Sequence, residues 1–189
     1  NSFYRCVVSG TCAPAAISNA AQLFINVPAA ITNNPSSVAV CETGNTSFTT
    51  SATGTGITYQ WQVNNGSGFT NVTNTGVYSG ATTSTLNITG ATNSMNNLVY
   101  RCNVTGVCGP IAVSANAILT VNALTVISTQ PIATTVCAGT NASFSVGAAA
   151  GGINYQWQVN TGAGFVNITN VAPYQGHQSS TLTVLATPA

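Results

Sequence analysis

Charge is almost missing from this chain. Its 189 residues contain no Lys and no Asp, and Arg5, Arg101, Glu42 and His177 are the whole ionic inventory. About a quarter of an ordinary globular domain is charged, against 2% here. The Lys/Arg clusters that hold nucleic acid are absent, so no nucleic-acid partner is expected. No run approaches the ~18 apolar residues of a membrane span. The first residues do not read as a secretory signal, as expected of a mature secreted chain. General acid–base chemistry needs positioned carboxylates or imidazoles, and one Glu and one His far apart in sequence do not make a pair. There is no CxxC, no carboxylate cluster and no Ca²⁺ loop. The stretch Asn64-Asn65-Gly66-Ser67-Gly68-Phe69 lacks the strand–turn–helix setting of a phosphate loop. The chain therefore reads as a non-enzyme with no metal and no cofactor.

What is there instead is Thr, Asn, Ser, Gly and Ala around a 44% hydrophobic content. Hydroxyls and amides must wet the surface. Near-zero net charge removes the self-repulsion that keeps proteins apart, which favours association. Six cysteines in a chain so poor in charge point to an oxidising compartment, outside the cell or on its surface.

The cysteines also reveal a repeat. Asn1-Ser-Phe-Tyr-Arg-Cys6 returns as Asn97-Leu-Val-Tyr-Arg-Cys102, and Cys12, Cys41 and Trp61 return as Cys108, Cys137 and Trp157, each 96 residues on. Ile57–Asn74 matches Ile153–Asn170 almost residue for residue. The repeat gives three segments: 1–29 is the back of one unit, 30–122 a whole unit, and 123–189 the front of a further unit. Glu42 and His177 do not recur, since they align with Ala138 and Ala81.

Within the whole unit the period is two, not 3.6. Ile57, Tyr59, Trp61 and Val63 alternate with polar residues, as do Leu86 and Ile88, and Tyr100, Cys102 and Val104. Asn-Gly-Ser-Gly and Thr-Gly-Ala-Gly read as hairpin turns. No helical segment is visible. About seven short strands in 96 residues predict an all-β chain of tandem β-sandwiches. Phe48, Tyr59, Trp61, Leu86 and Tyr100 are the expected core of the whole unit. Phe144, Tyr155, Trp157 and Leu182 are their counterparts.

Trp61 on the third strand and Tyr100-Arg101-Cys102 on the sixth resemble immunoglobulin-like domains, where a Tyr two residues before a Cys marks the tyrosine corner. The whole pattern, VCxxxNxSF, YQWQVN, STL and YRCxVxGxC, is similar to the tandem Ig-like repeats of large secreted surface proteins of Bacteroidota. That resemblance implies stalks, adhesin arms or filament material. One departure is clear: the B-strand position of the usual inter-sheet cysteine is Phe48, or Phe144 in the next repeat. Phe48 packed on Trp61 must fill that part of the core, and each buried ring contributes about 2–3 kcal/mol.

Three cysteines per repeat cannot all pair within it. An Ig-like sandwich places Cys41 at the end where the last strand leaves and Cys108 at the opposite end. Six residues separate Cys102 from Cys108, roughly 20 Å if extended, and a disulfide needs Cα atoms within about 7 Å. The favoured pairing joins neighbouring copies, Cys41 to Cys12 of the next copy and Cys108 to Cys137 of the previous one, with Cys102 buried. A Cys41–Cys102 bridge with Cys108 free, and a local Cys102–Cys108 closure, stay open as alternatives.

Neither 1–29 nor 123–189 holds a whole sandwich, so the front half must be completed by the back half of another copy. Either the chain is a window on a long tandem protein, or separate subunits exchange strands; both give a linear array. The expected function is a structural repeat of an extracellular filament or surface stalk, its partners other copies of itself. The alternative is an adhesin or carbohydrate-binding module. Arg5 and Arg101, recurring on the outer side of the sixth strand, read as solvated charges or as groups that stack on a partner's aromatic ring or cap carbonyls, and Tyr78 and Tyr174, recurring in loops, read as loop packing or as contacts to sugars. The sequons at Asn45, Asn71, Asn87 and Asn167 arise by chance in so Asn- and Thr-rich a chain. The Thr residues form no regular two-dimensional ladder, which argues against ice binding.

Overall fold

A computed structural model describes residues 2–186. The chain divides into two compact units, Asn1–Thr120 and Val121–Ala189. Among the described residues every regular element is a β-strand apart from a 3₁₀ turn at Asn93–Met95.

Residues 30–122 build a two-sheet sandwich. One sheet runs in the order Phe69–Asn71, Thr58–Asn64, Val99–Thr105, Ala117–Asn122 and Val38–Cys41, with Ala112–Val113 also paired to Val99–Thr105. The facing sheet runs Tyr78–Ser79, Thr85–Ile88 and Thr46–Thr49. Ala30–Asn33 pairs separately with Ser51–Thr53. Between Ala30–Asn33 and Val38–Cys41 lies buried Pro35, which has no N–H to continue a ladder. The flanking side chains compensate for the break. Asn34 Oδ1 accepts from the Ala115 N–H at 2.7 Å, and Ser37 Oγ accepts from the Ile118 N–H at 2.9 Å.

The alternation seen in sequence becomes the core. Trp61, Phe48, Leu86, Tyr100, Cys102 and Leu119 are all essentially buried. Phe48 stacks on Tyr100 with ring centroids 4.7 Å apart and lies 6.3 Å from Trp61, so aromatic rings occupy the place an inter-sheet disulfide would take. The Trp61 Nε1–H donates to Thr83 O at 2.9 Å. Buried hydroxyls are satisfied as burial demands. Thr50 Oγ1 donates to Asn33 O at 2.7 Å, and Ser114 Oγ accepts from the Cys102 N–H at 2.8 Å.

The leading end of this sandwich is clamped to the residues that precede it. The Thr55 N–H donates to Val27 O at 2.9 Å, the Val27 N–H donates to Thr55 Oγ1 at 3.0 Å, and the Val107 N–H donates to Thr55 O at 3.0 Å. Gly109 sits here at φ 86°, and a Cβ on it would lie 2.8 Å from Pro28 Cβ, so only glycine fits.

Ahead of that clamp, residues 2–23 form a two-stranded arm and no more. Ser2–Tyr4 pairs with Ala21–Leu23, and Val7–Val8 pairs with Ala16–Ile17. The register equals that of the whole sandwich 96 residues later, where Val99 faces Ile118 and Asn103 faces Val113. The Cys6 N–H donates to Ser18 Oγ at 2.9 Å just as Cys102 does to Ser114.

The second unit repeats the front of the sandwich. Val126–Thr129 pairs with Gly147–Ala149, Ala142–Ser145 and Tyr174–Gln175 both pair with Thr181–Val184, and Gln158–Asn160 pairs with Phe165–Asn167. The Trp157 Nε1–H donates to Ser179 O at 2.9 Å, as Trp61 does to Thr83. Two elements shrink or vanish. Residues 134–137 form no strand, and the seven-residue Thr58–Asn64 strand is matched only by the three residues of Gln158–Asn160. In the whole sandwich these stretches pair with Ala117–Asn122 and Val99–Thr105, and without such partners a strand has no ladder to join.

Candidate functional site

Among the described residues no three His, Cys, Asp or Glu side chains come together. Glu42 Oε1 accepts from the Asn93 N–H at 3.3 Å, and the His177 carbonyl accepts from the Trp157 N–H at 2.8 Å. The distinctive feature is an open face. Trp61 is 0% exposed, yet Trp157, Phe144 and Tyr155 are only half-buried, while Leu182 is buried. Tyr59, grouped with the core by alternation, is half-buried too, because it lies opposite Val104 near the end of the ladder. On one side of Trp157 a groove of about 320 Å³ is lined by Phe144, Val159, Tyr174, Leu182 and Val184. Trp157 also lines a second groove, of about 270 Å³, with Ile127, Val146 and Tyr155.

The arm at residues 2–23 has the opposite property, an apolar face that none of the described residues covers. Tyr4 is 59% and Val8 62% exposed, whereas their counterparts Tyr100 and Val104 are both 0% exposed. Arg5 is exposed as well. Its counterpart Arg101 is not a solvated charge: the guanidinium lies 3.8 Å from the Phe69 ring centroid, and its Nε–H donates to Gln62 Oε1 at 2.9 Å. The counterpart of Phe69 in the second unit, Phe165, is 71% exposed. Gln158 is held to Asn167 at 2.9 Å just as Gln62 is to Asn71. The Phe and Gln partners of the arginine escaped the sequence reading, although their recurrence 96 residues on was available as a signal.

No protein-family profile and no curated protein matches the chain. Solved structures do. The chain is similar to an I-band fragment from titin at 14% identity and TM-score 0.69, covering 99% of this chain and 65% of that one. It is similar to Sidekick-1 immunoglobulin domains 1-4 at 14% identity and TM-score 0.59, covering 96% and 49%. Extracellular domains 3-5 of Drosophila OTK match at 15% identity and TM-score 0.55, covering 98% and 61%. The fold is that of tandem immunoglobulin-like sandwiches. At such identities the likeness is one of fold, and the chain spans less than two thirds of these structures.

Two details depart from expectation within this immunoglobulin-like frame. Tyr78 and Tyr174 lie on short strands, Tyr78–Ser79 and Tyr174–Gln175, rather than in loops. The Tyr100 hydroxyl stands 2.9 Å from that of Tyr78, a side-chain partner where a tyrosine corner uses backbone. Burial pushes the Tyr100 phenol far above its ordinary range, helped by that hydrogen bond. Burial also pushes the Cys102 thiol up to about 11, against a smaller opposing pull from a backbone hydrogen bond at Gln60.

All six cysteines are free thiols. Cys102 is buried, Cys108 half-buried, and Cys6, Cys12, Cys41 and Cys137 are exposed. Cys41 ends its strand at a turn where the Gly44 N–H donates to Cys41 O at 2.9 Å and the Thr43 N–H to Ala91 O at 2.7 Å. That turn neighbours the segment leading into Val99. Cys108 follows Thr105 at the other end of the same strand, and its thiol donates to Asn26 O at 3.4 Å. Cys41 and Cys108 thus mark the two ends of the sandwich.

Proposed function

We propose that this chain is a structural repeat unit of an extracellular stalk or filament, with copies arranged head to tail. The observation that carries the reading is a whole immunoglobulin-like sandwich lying between an unpaired two-stranded arm and a sandwich that lacks two strands, all in one 96-residue register. In segments, 1–29 is the back of one repeat, 30–122 a whole repeat and 123–189 the front of the next. A near-uncharged surface of hydroxyls and amides suits packing against copies of itself. The combination suits the secreted bacterial surface repeats that the sequence pattern resembles.

The cysteines cross-link the joints in this reading. Cys108 Sγ reaches the backbone of Asn26, the stretch that leads into the sandwich. Cys41 ends the strand paired with Ala117–Asn122, the stretch that leads out of it. Neighbouring repeats thereby bring a Cys41-type and a Cys108-type thiol to the same linker, giving Cys41 to Cys12 of the next copy and Cys108 to Cys137 of the previous one. Each bridge joins two sulfurs, releases two protons and passes two electrons to a disulfide oxidant of the extracellular medium. A bridge at each joint contributes about 2–4 kcal/mol against unfolding.

This 189-residue chain, expressed by itself and oxidised, tests this on a denaturing gel. A ladder in steps of 19.0 kDa that collapses to one band on reduction is expected. Monomers without any reductant overturn the cross-links. The adhesin reading leans on Tyr78 as a sugar contact, and that hydroxyl is already engaged by Tyr100.

A further inference from the structure

We infer that residues 2–23 of a second copy of this chain complete the open sandwich of residues 126–184, laying Tyr4, Cys6 and Val8 against Trp157. The inference rests on the head-to-tail reading above and names the joint.

The whole sandwich shows what the completed one contains. There the Val99–Thr105 strand pairs with Thr58–Asn64 over seven positions, Tyr100 opposite Val63 and Cys102 opposite Trp61. The large receiving groups recur unchanged in the second unit: Phe48 as Phe144, Trp61 as Trp157, Gln62 as Gln158, Tyr78 as Tyr174 and Leu86 as Leu182. The inserted groups that meet them recur in the arm: Tyr100 as Tyr4, Arg101 as Arg5, Cys102 as Cys6, Val104 as Val8, Ala117 as Ala21 and Leu119 as Leu23. The arm already holds the register that insertion needs, Phe3 opposite Gln22 and Val7 opposite Ile17.

Three recognition elements follow by correspondence. The Tyr4 ring enters the groove beside Phe144, with its hydroxyl at Tyr174, as Tyr100 meets Phe48 and Tyr78. Arg5 covers exposed Phe165 and donates to Gln158, as Arg101 does with Phe69 and Gln62. Backbone N–H and C=O groups of residues 154–160 gain the ladder they lack, and 134–137 gain the neighbour that lets their counterparts form a strand. Main-chain pairing of this kind supplies affinity while the alternating side chains supply specificity. Because the inserted arm leaves its own chain's slot open, association proceeds as an open head-to-tail array.

The full chain in excess reductant, examined by analytical ultracentrifugation, is the test, since disulfides then play no part. Mass rising with concentration is expected, and a synthetic peptide of residues 2–27 should act as a chain stopper that lowers it. In a Trp61→Phe variant the emission of Trp157 should shift to the blue as peptide binds. Tyr4→Ala should weaken association about 30-fold, the cost of losing a buried aromatic anchor, while leaving the residue 30–122 sandwich intact. A chain extended after residue 189 by its own 94–122 sequence should be monomeric and blind to the peptide. A reduced chain that stays monomeric and ignores the peptide overturns the inference, whether its slot is closed from within or by a later segment of a longer chain. So does an extended chain that still polymerises. A reducible gel ladder without association under reductant leaves the array standing and removes this joint; association without a ladder leaves this joint standing and removes the cross-links.

Discussion

The ring of Tyr100 lies stacked on that of Phe48 at 4.7 Å, and its hydroxyl stands 2.9 Å from the hydroxyl of Tyr78. One residue of the sixth strand thus fills the space left by an absent disulfide and ties two sheets together by a polar contact. The two contributions separate experimentally. Tyr100→Phe keeps the stack and should cost about 1 kcal/mol for the lost hydrogen bond. Tyr100→Ala should cost about 3–5 kcal/mol. Urea denaturation of the two variants reads the difference, and equal losses would show that the ring does not carry the packing.

The Cys102 thiol makes a prediction about pH. Its ordinary value is 9.0 and burial raises it to about 11, so the folded chain holds the proton more tightly than the unfolded one. The stabilisation this gives is complete below about pH 9 and is lost as pH rises through 9 toward 11. Tyr100 shifts in the same direction. The denaturation midpoint should fall across that window, less steeply in Cys102→Ala. In the reduced chain at pH 8, an alkylating reagent followed by mass spectrometry should label exposed Cys41 and Cys137 quickly and Cys102 only after unfolding.

Thr50 is buried with its hydroxyl on Asn33 O at 2.7 Å, in a position occupied by Val146 in the second unit. Thr50→Val therefore fits sterically but strands a carbonyl. A loss of about 1 kcal/mol is expected by urea titration, and an unchanged midpoint would mean that water replaces the hydroxyl.

Arg101→Met keeps the stem and removes the cation over Phe69. A loss of about 0.5–1 kcal/mol is expected, read as a lower midpoint in the same titration. A larger fall would point to Gln62 losing its place along with the arginine.

The repeat, the sandwich and the position of the aromatic core are legible in the sequence because they rest on spacing: 96 between copies and two along each strand. What the spacing hides is whatever depends on a partner across space. Residues 134–137 and 38–41 carry similar β-branched and small residues, and only Val38–Cys41 is a strand, because only it has Ala117–Asn122 beside it. Arg101 reads as a solvated charge until Phe69, thirty-two positions earlier, is seen beneath it. Tyr78 reads as a loop residue until Ile88 is seen pairing with it.

The clamp between Val27 and Thr55 bears on how the arm ahead of the sandwich moves. A tether of free coil bends at no enthalpic cost and lets the units it joins wander. Here a kink at Val27 must break a backbone bond of 2.9 Å and a hydroxyl bond of 3.0 Å, and it presses Pro28 toward Gly109. The stretch of chain leading into the sandwich is held rather than hung, so a pull or a twist arriving along it passes into the Thr55 and Val107 loops. The mechanical character of that one junction is a hinge with a stop, not a free swivel.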